Sequence, residues 1–385
     1  MSQICTLCSE KVSNKTLYRK QNVPVLNNVV YDSEKLAAEC ETGSISLVQC
    51  RRCGLIFNCD YDESRVTYDS SYDSSRSQSQ VYCGYLDYLA GMLSERLTCE
   101  SRVIEIGCGN GDFLKKLSDL SGCHAEGYDA SYSGPLQYGE KVFFSRDTCV
   151  RKSSDEPFSM LILRHVLEHI PNLSRFFKEI SQSLPFTDGS VLLIEVPDFE
   201  WIVREKTYFD ITYEHCNYFL KSTLAECASQ MGFRLSRIMG GYQNQYILLE
   251  GVRSGTNHAA EQCTLFTEKD VGAEFKHARR KLIEKLSSHR DILVWGASGK
   301  GAVFLSDLPG YMRKRVRCAI DISPSKQGRF LPYSAKRIVS PAFLKSIESR
   351  PTIVIMNEVY RHEIEQQIAE MGISAMFILF SQIGA

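Results

Sequence analysis

From Val81 onward the chain alternates helical apolar stripes with short runs rich in β-forming residues. VYCGYLDYLAGML (81–93) predicts a helix, SRVIEIG (101–107) a strand, and a glycine-rich turn then opens a helix at Asp112. HAEGYD (124–129), FSMLILRH (158–165) and SVLLIEVPD (190–198) read as further strands with helices between them. That rhythm predicts an α/β domain whose parallel sheet is covered on both faces. GVRSGTNHAAEQ (251–262) is polar and breaks the rhythm. Phe275, Leu282 and Leu286 then fall at helical spacing in a charged segment, which predicts an amphipathic connecting helix. DILVWGASGKGAVFL (291–305) restarts strand, glycine turn and helix, and RVRCAID, PTIVIM and MFILF are spaced as more strands of a second α/β sheet. Residues 1–60 read as polar and strand-poor, and 61–80, dense in Ser, Asp and Tyr, as an extended or looped connector. The units that follow span 1–75, 76–255 and 256–385.

Several units suit the length, since 385 residues exceed one ordinary core. Lys plus Arg number 45 against 46 Asp plus Glu, so there is no general positive field to hold nucleic acid or a membrane surface. A small-molecule substrate fits better. The opening MSQICTLCSE lacks the basic and apolar regions of a signal peptide, and no window is apolar enough to span a bilayer. The expectation is a cytoplasmic protein with reduced thiols, so paired cysteines among its 15 point first to metal.

Cys5 and Cys8 form one C-x-x-C, and Cys50 and Cys53 form another followed by Gly54. Two such knuckles supply four thiolates for a tetrahedral zinc, and a closed four-thiolate site leaves no open position for catalysis. A redox dithiol is the rival, but thioredoxin-like motifs open a helix inside a βαβ pattern, which this segment lacks. The zinc is therefore expected to be structural.

Glu105, Gly107, Gly109 and Gly111 stand in VIEIGCGNGDFL, directly after a predicted strand and at the start of a helix. A dinucleotide turn would read G-x-G-x-x-G, and Asp112 occupies the third glycine position. The acidic residue two places before the first glycine, followed by G-x-G-x-G, instead resembles the first motif of class I methyltransferases. Bare backbone there would admit the methionyl part of S-adenosylmethionine. Asp129 ends the next strand, 18 residues beyond Gly111, where a carboxylate can accept from both ribose hydroxyls. HVLEH (165–169) formally matches the H-x-x-E-H pattern of inverted zinc peptidases, but it follows a strand. His165 and Glu168 are read as lining the cofactor cleft or holding the helix, and His169 as structural.

With these residues in view, the chain resembles the three-part C-methyltransferases that act on nucleotide-linked deoxysugars. The resemblance covers nearly the whole chain. It rests on the four cysteines, EIGCGNG, IEVPD, YEHCNYF (213–219), WGASGKGAVF and DISPSKQGRFLP, in the family's order. It implies a class I Rossmann-like methyltransferase domain between an N-terminal zinc module and a C-terminal Rossmann-like domain that helps hold a nucleotide-linked sugar. In the resembling enzymes the E-H-x-x-Y-F segment supplies a histidine proposed to take the proton beside a 4-keto group. His215 is the matching residue, and Glu214 beside it is placed to orient or polarise the imidazole. The family has a tyrosine three residues before that histidine; Thr212 stands there, which leaves Tyr213 as the candidate relay. GASGKG lacks the Ser or Thr that a Walker loop places after its lysine, so ATP hydrolysis is not expected, and Lys300 is left between meeting a phosphate and lying in solvent. Methylation of oxygen or nitrogen on another small metabolite, and a non-catalytic zinc and cofactor-binding partner protein, stay open as alternatives. The sequence leaves the oligomeric state open.

Overall fold

The computed structural model describes residues 3–13, 15–69, 72, 76–147, 156–254, 264–297 and 299–382. Much of the linker 251–262, part of the connector 61–80, and Ser298 of the GASGKG turn lie outside the described residues.

The first unit is built on strands, contrary to the strand-poor expectation. β1 (Gln3–Ile4) and β2 (Lys11–Val12) pair antiparallel beside the first cysteines. β3 (Thr16–Pro24), β4 (Thr42–Gln49) and β5 (Ile56–Asn58) form an antiparallel sheet, with the short helix α1 (Glu34–Ala38) between β3 and β4. β4 reads TGSISLVQ, so Thr42, Ser44 and Ser46 fill its outward positions while Gly43, Ile45 and Leu47 are buried. Few apolar residues mark such a strand, which is why it reads as polar chain.

The middle unit opens with α2 (Gln80–Ser94), capped by the Ser79 hydroxyl, which accepts the Tyr82 N–H. Next come β6 (Arg102–Ile106), α3 (Asp112–Ser121), β7 (His124–Tyr128), β8 (Gln137–Tyr138), β9 (Val142–Ser145) and β10 (Phe158–Arg164). α4 (Leu173–Ser183), β11 (Phe186–Pro197) and α5 (Phe199–Arg204) follow. β12 (Asn217–Tyr218) leaves this unit to join β5, as the fourth strand of the N-terminal sheet. α6 (Lys221–Gln230), β13 (Phe233–Gly241) and β14 (Tyr246–Arg253) complete the unit. Its eight strands run β13-β14-β11-β10-β6-β7-β9-β8. β7, β6, β10 and β11 are parallel, as predicted, but β14 is antiparallel to β11 and β13 antiparallel to β14, so the sheet is mixed. β10 is buried along almost its whole length, which explains its unbroken apolar reading. The chain reverses direction across the sheet between β6 and β10, and in open α/β sheets ligands bind beyond the strand ends at such a point.

The third unit begins with α7 (Glu274–Ser287), which buries Phe275, Leu282 and Leu286 as the spacing predicts, together with Ala278. β15 (Ile292–Trp295), α8 (Lys300–Asp307), α9 (Gly310–Arg315), β16 (Val316–Ile320), β17 (Ile338–Val339), β18 (Thr352–Ile355), α10 (Arg361–Glu370) and β19 (Met376–Ile378) follow. The five strands are parallel in the order β17-β16-β15-β18-β19. No described helix is long and apolar enough to cross a membrane.

Candidate functional site

The glycine loop between β6 and α3 holds three left-handed residues, Gly107, Gly109 and Gly111, at φ +74°, +55° and +73°. A Cβ on Gly107 would meet Val166 at 2.4 Å and one on Gly111 would meet Phe144 at 2.3 Å, so both glycines permit internal packing. A Cβ on Gly109 would meet nothing within 4 Å, so this bare backbone faces open space. Asp129 lies beside it: one carboxylate oxygen accepts the Gly109 N–H at 2.8 Å, and the other accepts from the Ser131 backbone and hydroxyl. The Asp129 carboxylate thus ties the glycine loop to the end of β7.

Beneath the loop sits a buried ionic network. Arg164, at the end of β10, bonds Glu195 of β11 through Nε at 2.8 Å and lies 3.8 Å from Glu105 of β6. Burial pushes Glu105 up to about 7, with Arg164 pulling the other way. Burial also opposes ionising Glu195, but Arg164 and His165, with hydrogen bonds from Tyr85 and Arg164, hold it below the usual carboxylate range. His165 is held left-handed at φ +56°, its Nδ1 3.3 Å from Glu168 and its Nε2 buried without a hydrogen-bond partner. Its ring packs edge-on against Tyr246. Because Val166 abuts Gly107, this histidine borders the glycine loop.

His215 and its neighbours are brought together by a clamp. The Asn217 side chain donates to the carbonyls of Leu167 and Ile170, which seats the turn Leu167–His169 against the segment carrying His215. Glu168, His169 and His215 each then bring a carboxylate oxygen or ring nitrogen within 4.8 Å of one another. The His215 N–H is held by the Thr212 hydroxyl at 3.3 Å, and Tyr218 locks Thr212 by bonding both its backbone groups. His215 Nδ1 is buried and makes no hydrogen bond. Burial first, and His169 second, lower its pKa to about 3, while Glu168 acts in the opposite sense. Glu168 is held below the carboxylate range by the surrounding histidines, although burial opposes this.

Two placements differ from the sequence reading. The Glu214 carboxylate does not reach His215; it accepts the Asn27 N–H and the Tyr72 hydroxyl, the latter at 2.9 Å, and burial pushes it up to about 7. The bend at 213–214 carries the Glu214 side chain toward Asn27 and Tyr72, and the carboxylate beside His215 is Glu168. Tyr213 is also directed away. Its ring lies on Gly43, where a Cβ would meet it at 2.2 Å, and its hydroxyl accepts the Asp62 N–H. The tyrosines at the site come from the connector: Tyr68 is 2.7 Å from His169 Nδ1, and Tyr72 accepts from Asn28 while donating to Glu214. The sequence reading missed both, since a Ser- and Asp-rich stretch carries no periodic signal; the two tyrosines four apart were the sign available.

Lys300 is about one-fifth exposed and is engaged within the protein. It pairs with Asp210 at 3.0 Å, bonds Gln245 and lies over the Trp201 ring, which ties the third unit to the second. Its glycine turn also meets the first unit, because the Gly299 N–H donates to Asn27.

The four predicted cysteines converge. Cys5 and Cys53 have Sγ atoms 3.5 Å apart, as do Cys8 and Cys50, and all four lie within 4.8 Å. A zinc with four bonds of ~2.3 Å sets its sulfurs about 3.8 Å apart, so the set fits that ion. The hydrogen bond with Cys50, followed by burial, pushes the Cys5 thiol up to about 12, which a cation would reverse.

Residues 76–237 match the methyltransferase domain family, and residues 258–379 match the C-methyltransferase C-terminal domain family. No curated protein matches the chain. Among solved structures, it is similar to magnesium protoporphyrin IX methyltransferase from Synechocystis PCC 6803 with bound SAH. The identity is 19%, over 45% of this chain and 84% of that one, with a TM-score of 0.35. It is also similar to N,N-8-amino-8-demethyl-D-riboflavin dimethyltransferase from Streptomyces davawensis, at 17% identity over 44% of this chain and 53% of that one, with a TM-score of 0.35.

Proposed function

We propose that the chain, whose residues 76–237 match a methyltransferase domain and 258–379 a C-methyltransferase C-terminal domain, uses S-adenosylmethionine to methylate a carbon of a nucleotide-linked ketosugar. The bound cofactor would supply an electrophilic methyl on a sulfonium, with Gly107, Gly109, Gly111 and Asp129 holding it and Glu105 and His165 shaping the floor. The four cysteines would hold a structural zinc. Carbon, unlike an amine or hydroxyl, carries no ready lone pair, so the reaction needs a base.

The observation that carries this reading is His215. Its buried Nδ1 has no partner, and its lowered pKa keeps the ring neutral with a lone pair to offer. Glu168 supplies the negative charge that would stabilise the imidazolium formed. In the proposed step His215 takes the proton from the carbon beside the ketone. The C–H electron pair passes into an enolate, whose carbon then bonds the methyl as the carbon–sulfur bond breaks. Tyr68, whose hydroxyl meets His169 beside His215, replaces Tyr213 as the hydroxyl at hand to relay that proton.

The test is cofactor consumption against a panel of nucleotide-linked 4-ketosugars, with products mapped by NMR. His215→Ala is expected to lower turnover by roughly 100-fold or more with cofactor affinity intact. Near-wild-type turnover in a folded variant would point to oxygen or nitrogen as the acceptor atom and end the carbon reading.

A further inference from the structure

A second polar cluster, apart from the His215 site, lies where the middle and third units meet. Arg76, just ahead of α2, lays its guanidinium over the Tyr82 ring at 4.2 Å and donates to the Tyr246 hydroxyl. Among the described residues no carboxylate pairs with it. Tyr242 and Tyr360 complete the enclosure, with ring centroids 6.3 Å apart and both hydroxyls buried without a hydrogen-bond partner. Tyr242 is only 4% exposed. It is presented by a turn between β13 and β14 in which residues 242, 243 and 244 are all left-handed, a costly conformation for three side-chain-bearing residues in a row. Tyr360 is contributed by the third unit.

A guanidinium cannot shed its proton and offers five donors in a fixed fork. Burial pushes the Tyr242 and Tyr246 phenols up, so neither supplies a counter-charge. One half-buried cation without a carboxylate partner among the described residues, beside two buried phenol hydroxyls, therefore forms a site short of an anion. The cluster lies close to the glycine loop: Tyr246 packs against His165 at 4.5 Å, and Val166 next to it abuts Gly107.

We propose that Arg76, Tyr242 and Tyr360 bind the carboxylate of the cofactor's methionyl group, so that the third unit takes part in holding the cofactor. This rests on the placement of the cofactor along Gly107, Gly109 and Gly111. Calorimetry with S-adenosylmethionine and its decarboxylated analogue tests it in the full-length protein. Arg76→Met is expected to weaken S-adenosylmethionine at least 10-fold and leave the decarboxylated analogue unchanged. Tyr242→Phe and Tyr360→Phe, which preserve packing, are expected to show a smaller loss with the same selectivity. Equal effects on both ligands, or none, would make Arg76 structural and overturn the proposal. So would intact S-adenosylmethionine binding with lost stabilisation by inorganic pyrophosphate, which would assign the anion to the acceptor. Failure of the wild-type chain to bind either ligand would instead overturn the cofactor placement beneath it.

Discussion

Changing Glu168 to Gln removes one buried charge while keeping the side chain's shape. Glu168 is 1% exposed, and its carboxylate oxygen lies within 4.8 Å of a His215 ring nitrogen. At that separation and an effective dielectric of ~20, the carboxylate stabilises an imidazolium by about 3 kcal/mol. With 1.36 kcal/mol per tenfold, proton removal should slow by roughly 100-fold. The assay is exchange of the acceptor's proton with deuterated solvent in the absence of cofactor, using a 4-ketosugar nucleotide that the wild type methylates. Exchange and turnover should fall together, since both pass through the same imidazolium. Cofactor affinity, read by calorimetry, should stay within a few-fold, because Glu168 makes no hydrogen bond to the glycine loop. A folded Glu168→Gln protein with turnover within threefold of wild type would refute the role given to this carboxylate, whatever the fate of His215.

Metal analysis should find one zinc per chain, lost together with cooperative folding in a Cys50→Ser, Cys53→Ser double variant, since metal binding and folding of such a module are one equilibrium. A second zinc that disappears in His215→Ala would mean that Glu168, His169 and His215 hold metal and not a mobile proton. Gly109→Val should reduce cofactor affinity more than Asp129→Ala, whose loss of charged hydrogen bonds costs about 1 to 3 kcal/mol; unchanged affinity in both would misplace the cofactor. Glu214, raised to about 7 from an ordinary 4.5, binds more proton folded than unfolded, so its contribution is complete below pH ~4.5 and is lost as pH rises through about 7. Glu214→Gln should therefore lose less thermal stability than wild type between pH 5 and 8, and parallel melting curves would exclude this carboxyl as the cause.

The middle sheet was legible because its central strands are apolar on both faces and its glycine loop follows a strand whose end is marked by Glu105. The cysteine cluster was legible from spacing alone. What the sequence concealed is which residues face one another. Neighbouring positions invite pairing, so Glu214 looked like the partner of His215, whereas the turn drawn in by Asn217 places Glu168 there. Thr212 looked like the loss of a tyrosine, yet its hydroxyl holds the His215 backbone. Tyr68 and Tyr72 reach the site through contacts with His169, Asn28 and Glu214 that are 101, 44 and 142 residues away in sequence, a range no local pattern reports.

The pairing of β12 with β5 has a consequence for dissection of the protein. His215 stands two residues before β12, and the Asn58 N–H donates to the Cys216 carbonyl between them. The backbone that aims the histidine is thus one edge of a sheet whose other strands belong to the first 60 residues. An excised fragment carrying the glycine loop, Glu168 and His215 but lacking the first 60 residues would still contain the reacting groups, but its histidine segment would hang from an unpaired edge, and Glu214 would lose Asn27. Such a fragment could bind cofactor and yet be unable to turn over, so truncation would separate occupancy from chemistry in a way that no point substitution at the reacting residues can.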